Sequence, residues 1–346
     1  MKFIIVWTLA IFAWVFTAPC TGHAQSFEDV FTIQDSLELE QGDDAFLSVP
    51  YVSLLEDGNM LIVEPREQRV FRYNRSGALQ SIIGSPGQGP GEFRIPVTAT
   101  QTAAGSVLVG ELGGGFISVF DSSNTFVERH TGLLWHALQL HALDAERVLA
   151  VGPKEQGTGA SPLLHIFNAS TGEIEDSFFP HPTPIGTYGN VLNGISDIAT
   201  ADVRAGQTVV AFAPEPRLYT FSTDGDSLSA VDVSLQHFIP VDPSYRGADL
   251  SNREVQDAYD SFSRIHDLFW MHDDLILVQY YDIADQRTNT LNWHLAGVTR
   301  SGDVLFDIAN TPRLYAVDTS TGGLFFNAPD TLDPGQWVVA ALKNSW

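Results

Sequence analysis

Gly84-Ser85-Pro86-Gly87-Gln88-Gly89-Pro90-Gly91-Glu92-Phe93-Arg94-Ile95-Pro96 decides the fold. Glycine recurs at 87, 89 and 91 with Pro90 inside the run, and no helix tolerates that composition. A strand-like segment, Ala78 to Ile83, precedes it, and another, Val97 to Thr100, follows. A dinucleotide-binding glycine loop needs a helix N-terminus directly after the glycines to hold a pyrophosphate. Here the next residues run from Phe93 to Thr100 and are broken by Pro96. The stretch therefore reads as a sharp crossover between strands and not as a nucleotide site.

Outward from this crossover, short apolar runs alternate with Gly, Asp, Asn and Ser turns, and no long segment sustains helical spacing. The runs repeat. Met60 to Glu64 and Arg69 to Tyr73 form one unit, followed by Val107 to Glu111 with Phe116 to Asp121. Arg147 to Val151 with His165 to Asn168, and Gln207 to Phe212 with Leu218 to Phe221, continue the series. Leu275 to Val278 with Trp293 to Val298, and Gly323 to Phe326 with Trp337 to Ala341, end it. Phe71, Phe120, Phe167 and Phe221 mark one position in four successive units. The period is about 40–50 residues, the length of a four-stranded propeller blade. The last unit has room for only three strands. The strand-like segment near the N-terminus, Asp29 to Ile33 and Ser36 to Leu39, is expected to complete it, which removes open sheet edges. The predicted fold is all-β, a six-bladed β-propeller whose last blade is closed by the N-terminal strand.

Gly87, Gly89, Gly91, Phe93 and Pro96 also match, in order, the linker between blades of NHL-type six-bladed propellers, and the chain resembles the bacterial exported NHL-like propellers. That resemblance implies a binding scaffold more than an enzyme, and the family hosts both.

Lys2 followed by the apolar run Phe3 to Phe16, with Gly22-His23-Ala24 at the cleavage position, reads as a secretory signal over residues 1–24. The propeller then occupies 25–346, and an exported protein, periplasmic or extracellular, is expected. The lone cysteine, Cys20, lies in a poor lipobox after Pro19, so lipidation is the lesser reading. Cleavage removes Cys20 and with it disulfide, thiol and Cys-ligated metal chemistry. The formal charge is −24, from 42 acids against 18 Lys and Arg. This disfavours nucleic acid and anionic lipid as partners. A protein, glycan or small-molecule ligand, no membrane-spanning segment after cleavage, and a monomer are the expectations.

A long insertion separates the fourth and fifth units, about 236–264. Within it Ser251 and Glu254 form a capping box, and Leu250, Val255, Ala258, Tyr259 and Phe262 recur at helical spacing. One short helix is predicted there, either filling a side groove or covering the channel mouth.

Up-and-down topology places second-to-third connections, and fourth-to-next-first connections, on one rim. The rim candidates for ligand contact are Glu64, Arg66, Arg94, Glu111, Lys154, His181, Tyr188 and Asp282. Glu64 and Glu111 occupy equivalent places in adjacent units. They read first as caps of turn N–H groups or partners of a neighbouring Arg. As hard oxygen ligands, they also make Ca²⁺ a candidate cofactor. His136 and His141 do not have zinc-site spacing, and His181 and His266 are isolated. No G-x-S-x-G elbow, H-E-x-x-H pair or P-loop is present. Two functions are therefore weighed: a binding scaffold using the loop-rich rim for a peptide, glycan or small ligand, and a metal-dependent lactonase- or lyase-type enzyme with an axial site. Three or four inward carboxylate, Asn or His groups converging at the axis would favour the enzyme.

Overall fold

The computed structural model describes residues 25–42, 45–48, 50–155, 162–180, 199–245, 251–285, 290–328 and 333–344. Residues 1–24, where a secretory signal is expected, and the rim candidates His181 and Tyr188 lie outside these described residues. Six four-stranded antiparallel sheets stand around a central axis. From the axis outward, blade 1 is Tyr51–Leu54, Met60–Glu64, Arg69–Tyr73 and Leu79–Ile83. Blade 2 is Pro96–Gln101, Val107–Glu111, Ile117–Phe120 and Phe126–His130. Blade 3 is Gln139–Ala142, Arg147–Val151, Pro162–Asn168 and Ile174–Pro180. Blade 4 is Ala199–Arg204, Gln207–Phe212, Arg217–Ser222 and Ser227–Asp232. Blade 5 is Arg264–His272, Leu275–Asp285, Thr290–Val298 and Val304–Ile308. Blade 6 takes Leu314–Asp318, Gly323–Asn327 and Gln336–Leu342 from the C-terminal part of the chain, and Phe31–Glu38 as its outer strand.

Second strands such as Met60–Glu64 and Val107–Glu111 are buried at every position. Each sheet packs against one neighbour on one face and another on the other, so both parities of side chain meet apolar surface. This is why these strands read as unbroken apolar runs instead of alternating ones. The core divides into six clusters, one per blade-to-blade interface. Phe71, Phe120, Phe167 and Phe221 each plug the interface between their own blade and the preceding one.

The glycine-rich crossover is ordered around a carboxylate. Glu92 Oε2 accepts N–H bonds from Gln88 (2.8 Å) and Gly89 (2.7 Å). Gly87 has φ +148°, and a Cβ there would lie 2.0 Å from Glu92 Oε2, so only glycine lets the loop wrap this tightly. Arg129, from the outer strand of blade 2, donates to the carbonyls of Gln88, Gly89 and Glu92 and locks the crossover from behind. Phe93 is fully buried against Phe120.

Blade 6 closes as expected. Phe31 pairs with Leu342 and Glu38 with Gln336, with one irregularity between Ile33 and Asp35. One detail differs from the sequence reading: Phe27–Val30 forms a single helical turn, capped by Ser26 and Asp29, before the strand begins. The local capping box outweighs the strand-like character of Asp29 and Val30. The helix of the insertion spans Asn252–Tyr259 with Ser251 as N-cap and the Ser251–Glu254 capping box formed. Its Ala258, with Phe262 just beyond, is fully buried in the core between blades 3 and 4. The helix is seated in a side groove, and none of its residues lines the channel.

Candidate functional site

The upper rim is the face that carries the second-to-third and fourth-to-first connections. There Glu64 and Glu111 occupy equivalent places, both buried. Glu64 accepts from Ser48 N (2.6 Å), Ser48 Oγ (2.8 Å) and Arg66 N (3.1 Å). Glu111 accepts from Arg94 N (2.7 Å) and Ile95 N (3.4 Å), with Arg129 Nη2 at 3.8 Å from its other oxygen. Each glutamate thus anchors the linker that enters its own blade. Arg66, Arg94 and Lys154 are exposed on the same face. Asp282 lies on blade 5 and bonds Asn292 Nδ2 (2.9 Å) and His294 Nε2 (3.0 Å). Among the described residues the rim candidates share a face, but no contact brings their side chains to one point.

A channel of about 790 Å³ runs down the axis, lined by the inner strands of all the blades and the turns that follow them. The acids at its lower mouth are turn caps. Asp57 accepts from Asn59 N, Asp144 from Glu146 N and Arg147 N, and Asp318 from Ser320 N.

Higher in the channel, side chains of one blade bond the inner-strand backbone of the next. Ser53 Oγ donates to Ala99 O (2.6 Å). Thr98 and Thr100 accept from Leu140 N (3.0 Å) and Ala142 N (3.2 Å). Gln139 Oε1 accepts from Ala201 N (2.8 Å), and Asp202 Oδ2 from Trp270 N (2.6 Å). The Gln279 carboxamide, oriented to suit its surroundings, gives two bonds to Leu314, at 3.1 Å to O and 2.6 Å from N. The inner strands have a free edge toward the axis, and these side chains satisfy the backbone groups along it.

A different group gathers at the start of the inner strands of blades 5 and 6. The pairing of Arg264–His272 with the next strand slips between Ile265 and Asp267, so His266 is an extra, bulged residue. In a regular strand neighbouring side chains point to opposite faces. The bulge re-aims them, and His266 Nδ1 meets Asp267 Oδ2 at 2.5 Å. Gln139 Nε2 reaches Asp267 Oδ1 at 3.3 Å and Thr200 Oγ1 at 3.0 Å, joining blades 3, 4 and 5. Burial works to raise the Asp267 carboxyl. The charge and hydrogen bond of His266, with Arg313 and His141 nearby, overcome it and hold the group below the usual range. Asp267 is therefore ionised and only accepts, so Nδ1 of His266 carries a proton and donates to it. His266 stands edge-on to Trp293 (5.0 Å between centroids) and Tyr281 (5.8 Å). Arg313 lies over Trp293 (5.2 Å) and Tyr315 (5.1 Å).

Midway down, burial pushes the Asp202 carboxyl up, against the opposing pull of His141 and two backbone N–H bonds. Burial likewise lowers His141, against Asp202 and Asp267. Both shifts favour the neutral forms. His141 Nε2 is buried without a hydrogen-bond partner. These groups lie deep in the molecule yet keep part of their surface open to the channel. Polar and ionisable groups from blades 3 to 6 thus converge, but among the described residues no three His, Cys, Asp or Glu are arranged to hold a metal ion.

His141, Asp202, His266, Asp267 and Arg313 are not among the rim candidates. A signal was present: inner strands carry polar residues at every second position, Thr98 and Thr100, Gln139 and His141, Thr200 and Asp202. Half-buried strands with one polar face show this period.

No protein-family model and no curated protein matches the chain. Solved structures do. A member of the DUF4221 family from Bacteroides vulgatus aligns with TM-score 0.63 at 10% identity, over 90% of this chain and 97% of that one. A protein of Bacteroides fragilis described as exported aligns with TM-score 0.62 at 9% identity, over 93% and 97%. At such identities the likeness is one of fold. No helix among the described residues is long and apolar enough to cross a membrane.

Proposed function

We propose that the protein is an exported binding scaffold, of the NHL-like propeller kind, that holds a small polar ligand in the upper part of its central channel. One observation carries this reading. Asp267 and Arg313 line the channel, and His266 precedes Asp267 on the same strand; His266 bonds Asp267, Asp267 also accepts from Gln139, and Arg313 lies over aromatic rings, whereas Ser53, Thr98, Thr100 and Asp202 are occupied in joining blades. The channel volume of about 790 Å³ falls within the range of small-molecule sites. Export is supported by the signal-like residues 1–24 and agrees with the description of one fold neighbour. Glu64 and Glu111 serve in this reading as linker anchors, because their oxygens already take backbone N–H bonds, and calcium is not needed to hold them. The rim loops with Arg66, Arg94 and Lys154 shape the approach to the mouth.

The lyase- or lactonase-type reading keeps one point in its favour, the His266–Asp267 pair, which is oriented as a general base would be. In that case acid–base chemistry would run on this pair.

A thermal-shift and calorimetric screen of the mature protein against mono- and disaccharides, dipeptides and small organic acids tests the scaffold reading. A hit that weakens at least tenfold in Asp267→Asn and persists in Arg66→Ala supports the channel. A hit that weakens in Arg66→Ala or Arg94→Ala and not in Asp267→Asn moves the site to the rim. Turnover of the hit compound, lost in His266→Gln, would favour the enzyme.

A further inference from the structure

Arg313 opens the inner strand of blade 6 and lines the channel. Its guanidinium carbon lies over the rings of Trp293 and Tyr315, at 5.2 and 5.1 Å from their centroids, yet it forms no salt bridge among the described residues, and its Nε is buried without a hydrogen-bond partner. In a chain with 42 acids, a half-buried arginine with no ion pair among the described residues is an unfilled donor set. The nearby charge of Asp267 acts on it through space, but no hydrogen bond joins the two among the described residues, so the donors of Arg313 stay unused. The rings pack against the guanidinium, whose unused N–H groups suit a planar, two-oxygen acceptor.

The second donor stands on the same indole. The His266 ring is 5.0 Å from Trp293, and its Nδ1 is committed to Asp267. Nε2 makes no hydrogen bond among the described residues, and the side chain is 18% exposed. Asp267, the acid beside His266, is already matched by His266 and Gln139, which reduces its repulsion of an anion. Across the channel from blade 5, Thr98 and Thr100 of blade 2 use their hydroxyls on backbone and carry no charge, as does Ser53 on blade 1 beside Arg313.

We propose that Arg313 and His266, both held on Trp293, form a carboxylate-binding subsite, so that the ligand of the channel is a small organic acid or a sugar acid. The carboxylate accepts from the edge of Arg313 and from His266 Nε2, and the body of the ligand lies along the hydroxyl wall. Asp267 and the bulge at His266 position the imidazole without touching the ligand. This assignment rests on the channel being the ligand site.

The test uses the mature protein with ¹³C-labelled histidine. D-Glucuronate, succinate and N-acetyl-L-aspartate are titrated beside the neutral counterparts D-glucose, succinamide and N-acetyl-L-asparagine amide. The readouts are the His266 resonance, assigned with His266→Gln, and calorimetric affinity. The expected result is at least one carboxylate that shifts His266 and binds at least tenfold more tightly than its counterpart. Arg313→Met, which keeps the stacking and removes the charge, is expected to abolish that preference while leaving cooperative unfolding intact. If Arg313→Met does not fold, Arg313→Lys supplies the same comparison, with the preference reduced because the two-pronged edge is gone. Equal binding of acids and neutral counterparts overturns the carboxylate subsite and leaves the channel reading standing. Binding of an acid with no His266 shift, or a preference that survives in Arg313→Met, overturns the subsite as well. No binding by any of the compounds counts against both.

Discussion

The inner strands of blades 1 to 4 and the first residues of blades 5 and 6 face the same channel with equally polar side chains. Along blades 1 to 4 those side chains are joints: Thr98 holds Leu140, Gln139 holds Ala201, and Asp202 holds Trp270. At blades 5 and 6, His266 bonds Asp267, and Arg313 rests on rings, so neither of these two side chains holds another blade's backbone through a described bond. Polarity in a propeller channel is therefore not itself a sign of a site. The informative residues are those whose hydrogen-bonding capacity is left over once the ring has been assembled.

That contrast can be broken by substitution. Asp202→Ala removes the acceptor of both Trp270 N and Val203 N, and a loss of about 3 to 4 kcal/mol in unfolding free energy is expected, read from urea melts. A loss under about 1 kcal/mol would mean that channel water replaces the joint. The pH dependence of stability comes next. Burial pushes His165, inside blade 3, down to about 4, with Nδ1 bonded to Ser177 Oγ and Nε2 without a partner. The unfolded imidazole takes a proton near about 6.5 and the folded one only near 4, so the unfolded state binds more protons between these values. Stability is expected to fall by about 3 kcal/mol as pH drops through that window, and His165→Gln is expected to flatten the slope. Thr98→Val, which deletes a single neutral acceptor, is expected to cost about 1.5 kcal/mol. Asp267→Asn keeps the shape of the mouth and frees no backbone donor. A change in stability of less than about 1 kcal/mol is expected, together with altered ligand binding. Smallest of all is the effect of calcium: addition or chelation is expected to leave the melting midpoint unmoved, because Glu64 and Glu111 already accept N–H bonds.

The ring itself was open to reading from local chemistry. Gly87, Gly91 and Phe93 need the backbone and burial of a blade-to-blade crossover, and the Phe71–Phe120–Phe167–Phe221 series follows from identical interfaces. Ser251 and Glu254 declared the helix through a purely local motif. The mouth was not readable in the same way. His266 and Asp267 are sequence neighbours, which in an ordinary strand would separate them. Only the slip against Tyr280 and Gln279 on the partner strand brings them together. A bulge is a property of two strands, and neither alone announces it. Arg313 likewise gains its setting from Trp293, a residue of another blade. The acids that stood out by position, Glu64 and Glu111, did so because each anchors the crossover that enters its own blade.

The pairing of Phe31 with Leu342 has a consequence for how the molecule comes into being. Synthesis runs from the N-terminus, so the outermost strand of the sixth blade emerges first and its hydrogen-bonding partner emerges almost last. Five blades can pack in succession while that early segment waits with a bare flank, and the circle becomes whole only when the final strand arrives. Whatever protects Phe31–Glu38 during that interval, or keeps it unstructured, sets the moment at which a linear stack turns into a ring with an inside.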